Sequence, residues 1–196
     1  MTARWLSAVL LFVWSLGAAG TAFAQQPAAR GREPRLKLQT NAFRDAGPLP
    51  LQYSCYAEGG KALSPALQWS YPPKGTQSFT VMVTAPQNHR AKGLLETHFW
   101  VRWNIPASAT GLPEGVPLGA ELPDGSRQVV SEEITGYNPP CSPPGVGELH
   151  YEFKLFALDT MLSLPSNATY PDVLKAIDGH IIGASTYYAT LERAAE

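Results

Sequence analysis

Four histidines, His89, His98, His150 and His180, are the only imidazoles in the chain. None stands at metal-ligand spacing from an acid or a cysteine, so the sequence predicts no metal site. No Gly-x-Ser-x-Gly elbow presents a serine nucleophile. Glu132 and Glu133 are adjacent, whereas an acid/base dyad needs carboxylates that face one another; the pair reads as a solvated loop. Trp69, Trp100 and Trp103 read as core rather than as a stacking platform. The expectation is a protein with no catalytic residue, no metal and no cofactor. Two cysteines remain, Cys55 and Cys141. They are either a disulfide or two buried free thiols. A bridge over so long a loop would contribute roughly 4–5 kcal/mol in the chain-entropy account.

The elements that must position these groups centre on Thr135 to Thr160. The first half of this stretch holds Gly136, Pro139, Pro140, Cys141, Pro143, Pro144, Gly145 and Gly147. So many prolines and glycines cannot continue a helix or a central strand, and a stiff loop results. The second half alternates. Leu149, Tyr151, Phe153, Leu155 and Ala157 share one face, and His150, Glu152, Lys154, Phe156 and Leu158 the other, which is a strand pattern. A rigid loop feeding a central strand can wall a small pocket, or it can simply cross between two sheets.

Before it, Leu36–Thr40, Leu51–Cys55, Leu67–Ser70, Ser78–Thr84 and Thr97–Ile105 read as strands, with Arg127–Ser131 a weaker one. In Thr97–Ile105, simple alternation groups Phe99 with Val101 and Trp103, and His98 with Trp100 and Arg102. Pro106 to Asp124 reads as surface. Asp159 reads as a local turn bond after its strand. Thr169-Tyr170-Pro171-Asp172 starts a helix that Gly179 ends. His180 to Arg193 fits either a helix or a strand. Six or seven short strands and one helix describe a mainly antiparallel β domain, sandwich or barrel-like, with a peripheral helix.

Arg4, an apolar run and Ala22-Phe23-Ala24 form a secretory signal, with cleavage expected after Ala24; an uncleaved anchor is the alternative. Residues 1–24 are then signal, 25–35 a flexible leader, and 36–196 one domain. The net charge of −1 offers no basic field for nucleic acid. The expected location is outside the cytoplasm, in a periplasm, with no integral membrane anchor left after cleavage.

Eight segments resemble the phosphatidylethanolamine-binding protein family, in its bacterial Raf-kinase-inhibitor-like branch. They are LPLQYSCYAEG (Leu49 to Gly59), LSPALQWS (Leu63 to Ser70), GTQSFTVMV (Gly75 to Val83), FWVRWNIPA (Phe99 to Ala107), GLPEGV (Gly111 to Val116), GYNPPCSPPG (Gly136 to Gly145), YEFKLFALDT (Tyr151 to Thr160) and GHIIGA (Gly179 to Ala184). They follow the family's order. The resemblance implies an antiparallel β-sandwich with C-terminal helical elements and one small pocket for phosphate-like or phospholipid head groups.

At that pocket the chain departs from the pattern. The family's Asp-Pro-Asp loop reads Ala85-Pro86-Gln87 here. The family's His before the residue matched by Trp100 is Phe99. Its His-Arg-Tyr is Leu149-His150-Tyr151, and its C-terminal Tyr aligns with Leu191. His98 and His150 sit one residue off, which in a strand means the opposite face unless a bulge intervenes. The expected pocket is therefore largely apolar. It would be walled by Ala85, Pro86, Phe99, Pro140, Leu149 and Tyr151, with backbone N–H groups of the Gly136–Cys141 loop as its remaining donors. Two functions follow as expectations. One is an exported non-catalytic protein binding a small ligand, a head-group-like molecule or a protein. The other is a regulator inhibiting a partner hydrolase or kinase-like enzyme through its loops.

Overall fold

The computed structural model of the protein describes residues 34–86, 96–129 and 135–194. The signal segment, the leader up to residue 33, His89 and the Glu132–Glu133 pair lie outside the described residues. Within them the chain forms nine strands and one α-helix. The strands are β1 (Lys37–Gln39), β2 (Gly47–Pro48), β3 (Leu67–Ser70), β4 (Ser78–Ala85), β5 (Thr97–Pro106), β6 (Gly111–Leu112), β7 (Arg127–Gln128), β8 (Leu149–Leu158) and β9 (Ile181–Leu191); the helix is α1 (Tyr170–Ile177).

The strands make two sheets. A small one orders β1-β3-β6, and a large one orders β2-β9-β8-β4-β5-β7. All pairings are antiparallel except β2 with β9. One face of the large sheet, the inner face, packs against the small sheet over a core that includes Leu38, Trp69, Phe79, Val83 and Phe153. The outer face carries α1, whose Tyr170, Val173 and Ile177 pack with Met82, Val101, Trp103 and Leu158. β4 lies between the two layers and is buried at all eight positions, so its sequence has no polar side to show. β8 covers only one face fully, and its alternation survives: Tyr151, Phe153, Leu155 and Ala157 point inward.

α1 begins as its sequence predicts. The Thr169 hydroxyl accepts from the Asp172 N–H, and the Asp172 carboxylate accepts from the Thr169 N–H at 2.9 Å. This capping box satisfies two donors that the first turn leaves open.

Two segments differ from the sequence reading or resolve its ambiguity. Leu51–Tyr53 is a 3-10 turn rather than a strand. Pro50 precedes it, and the Ser54 hydroxyl donates back to the Leu51 carbonyl at 2.8 Å, a local bond that closes a turn and competes with a ladder. The stretch after Gly179 is strand β9, and α1 is the C-terminal helical part. β9 pairs antiparallel with β8 from Ile181 to Leu191. A Cβ at Gly183 would meet the Pro73 ring at 2.6 Å, so the flat, side-chain-free approach is what the packing requires.

Candidate functional site

The proline loop after Thr135 is fastened from several sides. Cys55 and Cys141 form a disulfide, with Cα atoms 5.3 Å apart. The Cys55 N–H donates to the Pro140 carbonyl at 3.0 Å. The Tyr56 hydroxyl donates to the Ser142 carbonyl, and the Tyr137 hydroxyl to the Tyr53 carbonyl at 2.6 Å. The Asn138 N–H donates to the Phe99 carbonyl at 2.7 Å. Prolines leave such a loop few conformations, and these bonds select one. They also consume donors. Pro139 and Pro140 have no N–H, and that of Asn138 is engaged, so the loop has fewer free amides than its length suggests.

β5 does not keep simple alternation. Val83 pairs with Trp100, but the next β4 residue, Thr84, pairs with His98, so Phe99 is an extra residue in a β-bulge. A second irregularity between Phe79 and Val81 leaves Asn104 extra. Its φ is 55°, a region that Asn tolerates better than most residues. Its amide grips the backbone of Leu162, donating to the carbonyl at 2.9 Å and accepting from the N–H at 2.7 Å. The faces predicted from alternation are thereby corrected. Phe99, Trp100 and Ile105 lie in the inner core, while Val101 and Trp103 lie in the outer one. Arg102 pairs with inward-facing Val81 and is buried, donating to the Ser126 hydroxyl at 2.8 Å and the Asp124 carboxylate at 2.6 Å. Sequence alone gave no sign of this bulge, because any of Phe99, Trp100 and Val101 suits a core.

The residues expected to wall the pocket assemble unevenly. Phe99 meets Tyr151 edge to face, with ring centroids 5.2 Å apart. The Tyr151 hydroxyl donates to the Cys141 carbonyl at 3.0 Å. Ala85, Phe99, Tyr151 and Leu191 belong to one buried cluster, and Leu149 packs against it. Leu149 and Leu191 are direct cross-strand partners. Pro140 is buried and Pro86 is exposed. An edge-to-face aromatic pair with aliphatic neighbours fills space by dispersion and offers little to a charge.

The histidines lie elsewhere. His98 faces the outer side, its ring 4.7 Å from that of Tyr170. Burial lowers its pKa from the ordinary 6.5. His150 is 48% exposed on β8, with Nε2 at 3.5 Å from a Glu148 carboxylate oxygen. His180 meets Asp159 at 2.8 Å, so Asp159 closes a contact between β8 and the start of β9 instead of the local turn bond expected. Near His98 the outer face holds a mixed-charge cluster. Lys154 lies 2.6 Å from Glu96 and 2.7 Å from Glu152. Burial works to raise the Glu96 pKa, but the bond and charge of Lys154 oppose it and the net shift is downward. Among the described residues, no three metal-ligating side chains gather at one point.

Residues 39–192 match the sequence profile of the phosphatidylethanolamine-binding proteins. A UPF0098 protein of Methanothermobacter thermautotrophicus is 42% identical over 149 residues, covering 76% of this chain and 93% of its own. LppC of Mycobacterium tuberculosis, whose name describes a candidate lipoprotein, is 34% identical over 166 residues, 84% of this chain and 75% of that protein. Among solved structures, Escherichia coli YbcL, described as a member of the mammalian PEBP family, superposes with a TM-score of 0.70 at 28% identity. It covers 81% of this chain and 99% of its own.

Proposed function

This chain belongs to the phosphatidylethanolamine-binding protein family, and from that premise we propose that it is an exported, non-catalytic binding protein whose pocket has become apolar. The observation that carries the reading is the Phe99–Tyr151 contact at 5.2 Å, in the place where the resemblance implies an imidazole. An anion needs donors and positive potential in a partly desolvated cleft. Ala85, Phe99, Leu149 and Leu191 bring none, and the Tyr151 hydroxyl is directed at Cys141. The ligand class that suits such a wall is a small apolar or aromatic molecule. Export is supported by the signal-like N-terminal sequence and by the Cys55–Cys141 disulfide, since such bonds persist in oxidising compartments. The lipoprotein name of LppC points the same way.

NMR titration tests the reading. Inorganic phosphate and phosphoethanolamine at millimolar concentration are expected to leave the amides of Phe99, Cys141 and Tyr151 unshifted, whereas toluene shifts them saturably. Saturable shifts with phosphate would overturn it.

One observation favours the regulator reading as a second possibility. A cleft of about 380 Å³ lies between residues 60–64 and 115–118. It is flanked by Leu63 and Leu118, both exposed large aliphatics of the kind that proteins bury against partners. Leu63→Ser with Leu118→Ser should then abolish inhibition of a purified partner while leaving the thermal midpoint unchanged.

A further inference from the structure

The core takes only one side of the small sheet. Leu38 on β1, Leu67 and Trp69 on β3 and Leu112 on β6 are buried there, so their strand neighbours face outward. Register sets those neighbours in rows. Lys37 lies opposite Ser70, and Gln39, Gln68 and Gly111 share the next row. Rows on one face of a strand are about 7 Å apart. Gly111 has no side chain, and none would fit: a Cβ there would stand 2.4 Å from the Leu67 carbonyl oxygen. The bare position leaves an open trough of about 460 Å³, edged by Gln39, Gln68 and Thr110.

Among the described residues, no hydrogen bond or ion pair engages the side chains of Lys37, Gln39, Gln68 or Thr110. β1, β3, β6 and residues 108–110 contain no Asp or Glu. The face therefore offers one cation, two primary amides and a hydroxyl, on a chain whose net charge is −1.

Tyr71, the residue after β3, is a second and independent sign. Its φ is 56°, a region that glycine enters freely and a bulky residue does not. Pro72 follows it and narrows its choices further. The ring is 55% exposed, and among the described residues it packs against no other ring. Packing therefore does not account for a tyrosine at this position. Strain of this kind gathers where a side chain is used. What this one offers is an aromatic face at the Lys37–Ser70 end of the trough.

We propose that the outer face of the small sheet binds an oligosaccharide that carries a carboxylate. A primary amide donates and accepts at once, as a sugar hydroxyl does. The C–H face of a pyranose ring lies against the face of Tyr71. Lys37 meets the carboxylate. With rows about 7 Å apart, a chain of two or three sugar rings reaches from Gln39 and Gln68 to Tyr71. An apolar partner is a poorer occupant, because the outward positions of β1 and β3 present no aliphatic side chain. The site lies on the far side of the small sheet from the Phe99–Tyr151 contact, so it goes beyond the apolar-pocket reading and does not rest on it.

Heteronuclear NMR on the purified protein tests the proposal, with trigalacturonate as the acidic probe and maltotriose as the neutral one. Trigalacturonate is expected to shift the amides of Gln39, Gln68 and Gly111 saturably in the millimolar range, and maltotriose to bind about fivefold more weakly. Tyr71→Gly removes the ring at a φ that glycine accepts, so the fold holds, which an unchanged or raised thermal midpoint checks. It should weaken both sugars by about tenfold. Lys37→Gln should leave maltotriose binding as it is and remove the preference for the acidic sugar. No saturable shift with either probe overturns the proposal. So does binding indifferent to Tyr71→Gly, or equal binding of the two probes by the wild-type chain.

Discussion

At the scale of the residue, the proposed reading turns on Phe99. It sits in a β-bulge, its carbonyl holds the Asn138 N–H, and its ring closes on Tyr151. Phe99→Ala should cost about 3–5 kcal/mol in urea unfolding, the usual loss for emptying a buried phenyl site. Tyr151→Phe removes one hydrogen bond to a carbonyl and should cost about 1 kcal/mol, with little change in packing. His98 makes a prediction about pH. Burial depresses its folded pKa below the ordinary 6.5, so the unfolded chain takes up the proton first as pH falls. Its contribution to stability is therefore whole above about pH 6.5 and is lost as pH falls from there toward the folded value. Replacing the ring by His98→Phe should flatten that part of the stability profile, which urea melts across the acid range would show.

At the scale of the element, the disulfide and the bulges shape the site, and they differ in how readable they were. Reducing Cys55–Cys141, which spans 86 residues, should remove roughly 4–5 kcal/mol and lower the thermal midpoint by about 10–15 °C. Asn104→Ala should cost about 2–3 kcal/mol, because it forfeits both bonds to Leu162 and leaves a left-handed residue without its favoured side chain. The sequence marked β3, β8 and the capping box of α1 clearly, since alternation and cap chemistry are local. It could not mark the bulges in β5. A bulge is set by how two strands pair, and Phe99, Trp100 and Val101 are all apolar, so the alternation that would betray a slip is absent. β9 was ambiguous for a related reason. Its local pattern leaves strand and helix open, and pairing with β8, a long-range contact, makes it a strand. The grouping of Ala85, Phe99, Tyr151 and Leu191 was expected only through the resemblance. Nothing local in Ala85, Leu149 or Leu191 announces that they share a cluster with Phe99 and Tyr151.

At the scale of the molecule, the large sheet separates two chemistries. Its inner face buries aromatic and aliphatic side chains against the small sheet. Its outer face carries α1, His98 and the Glu96–Lys154–Glu152 cluster. The inner face also buries the Arg102–Asp124 pair, but around Phe99 and Tyr151 its wall is rings and methyl groups, which is what the proposed reading rests on. The most direct measurement of that claim is the anomalous signal from crystals soaked in tungstate, a heavy phosphate analogue. The account predicts no peak within hydrogen-bonding distance of the Tyr151 hydroxyl. An ordered tungstate there, held by that hydroxyl and the loop amides, would contradict it.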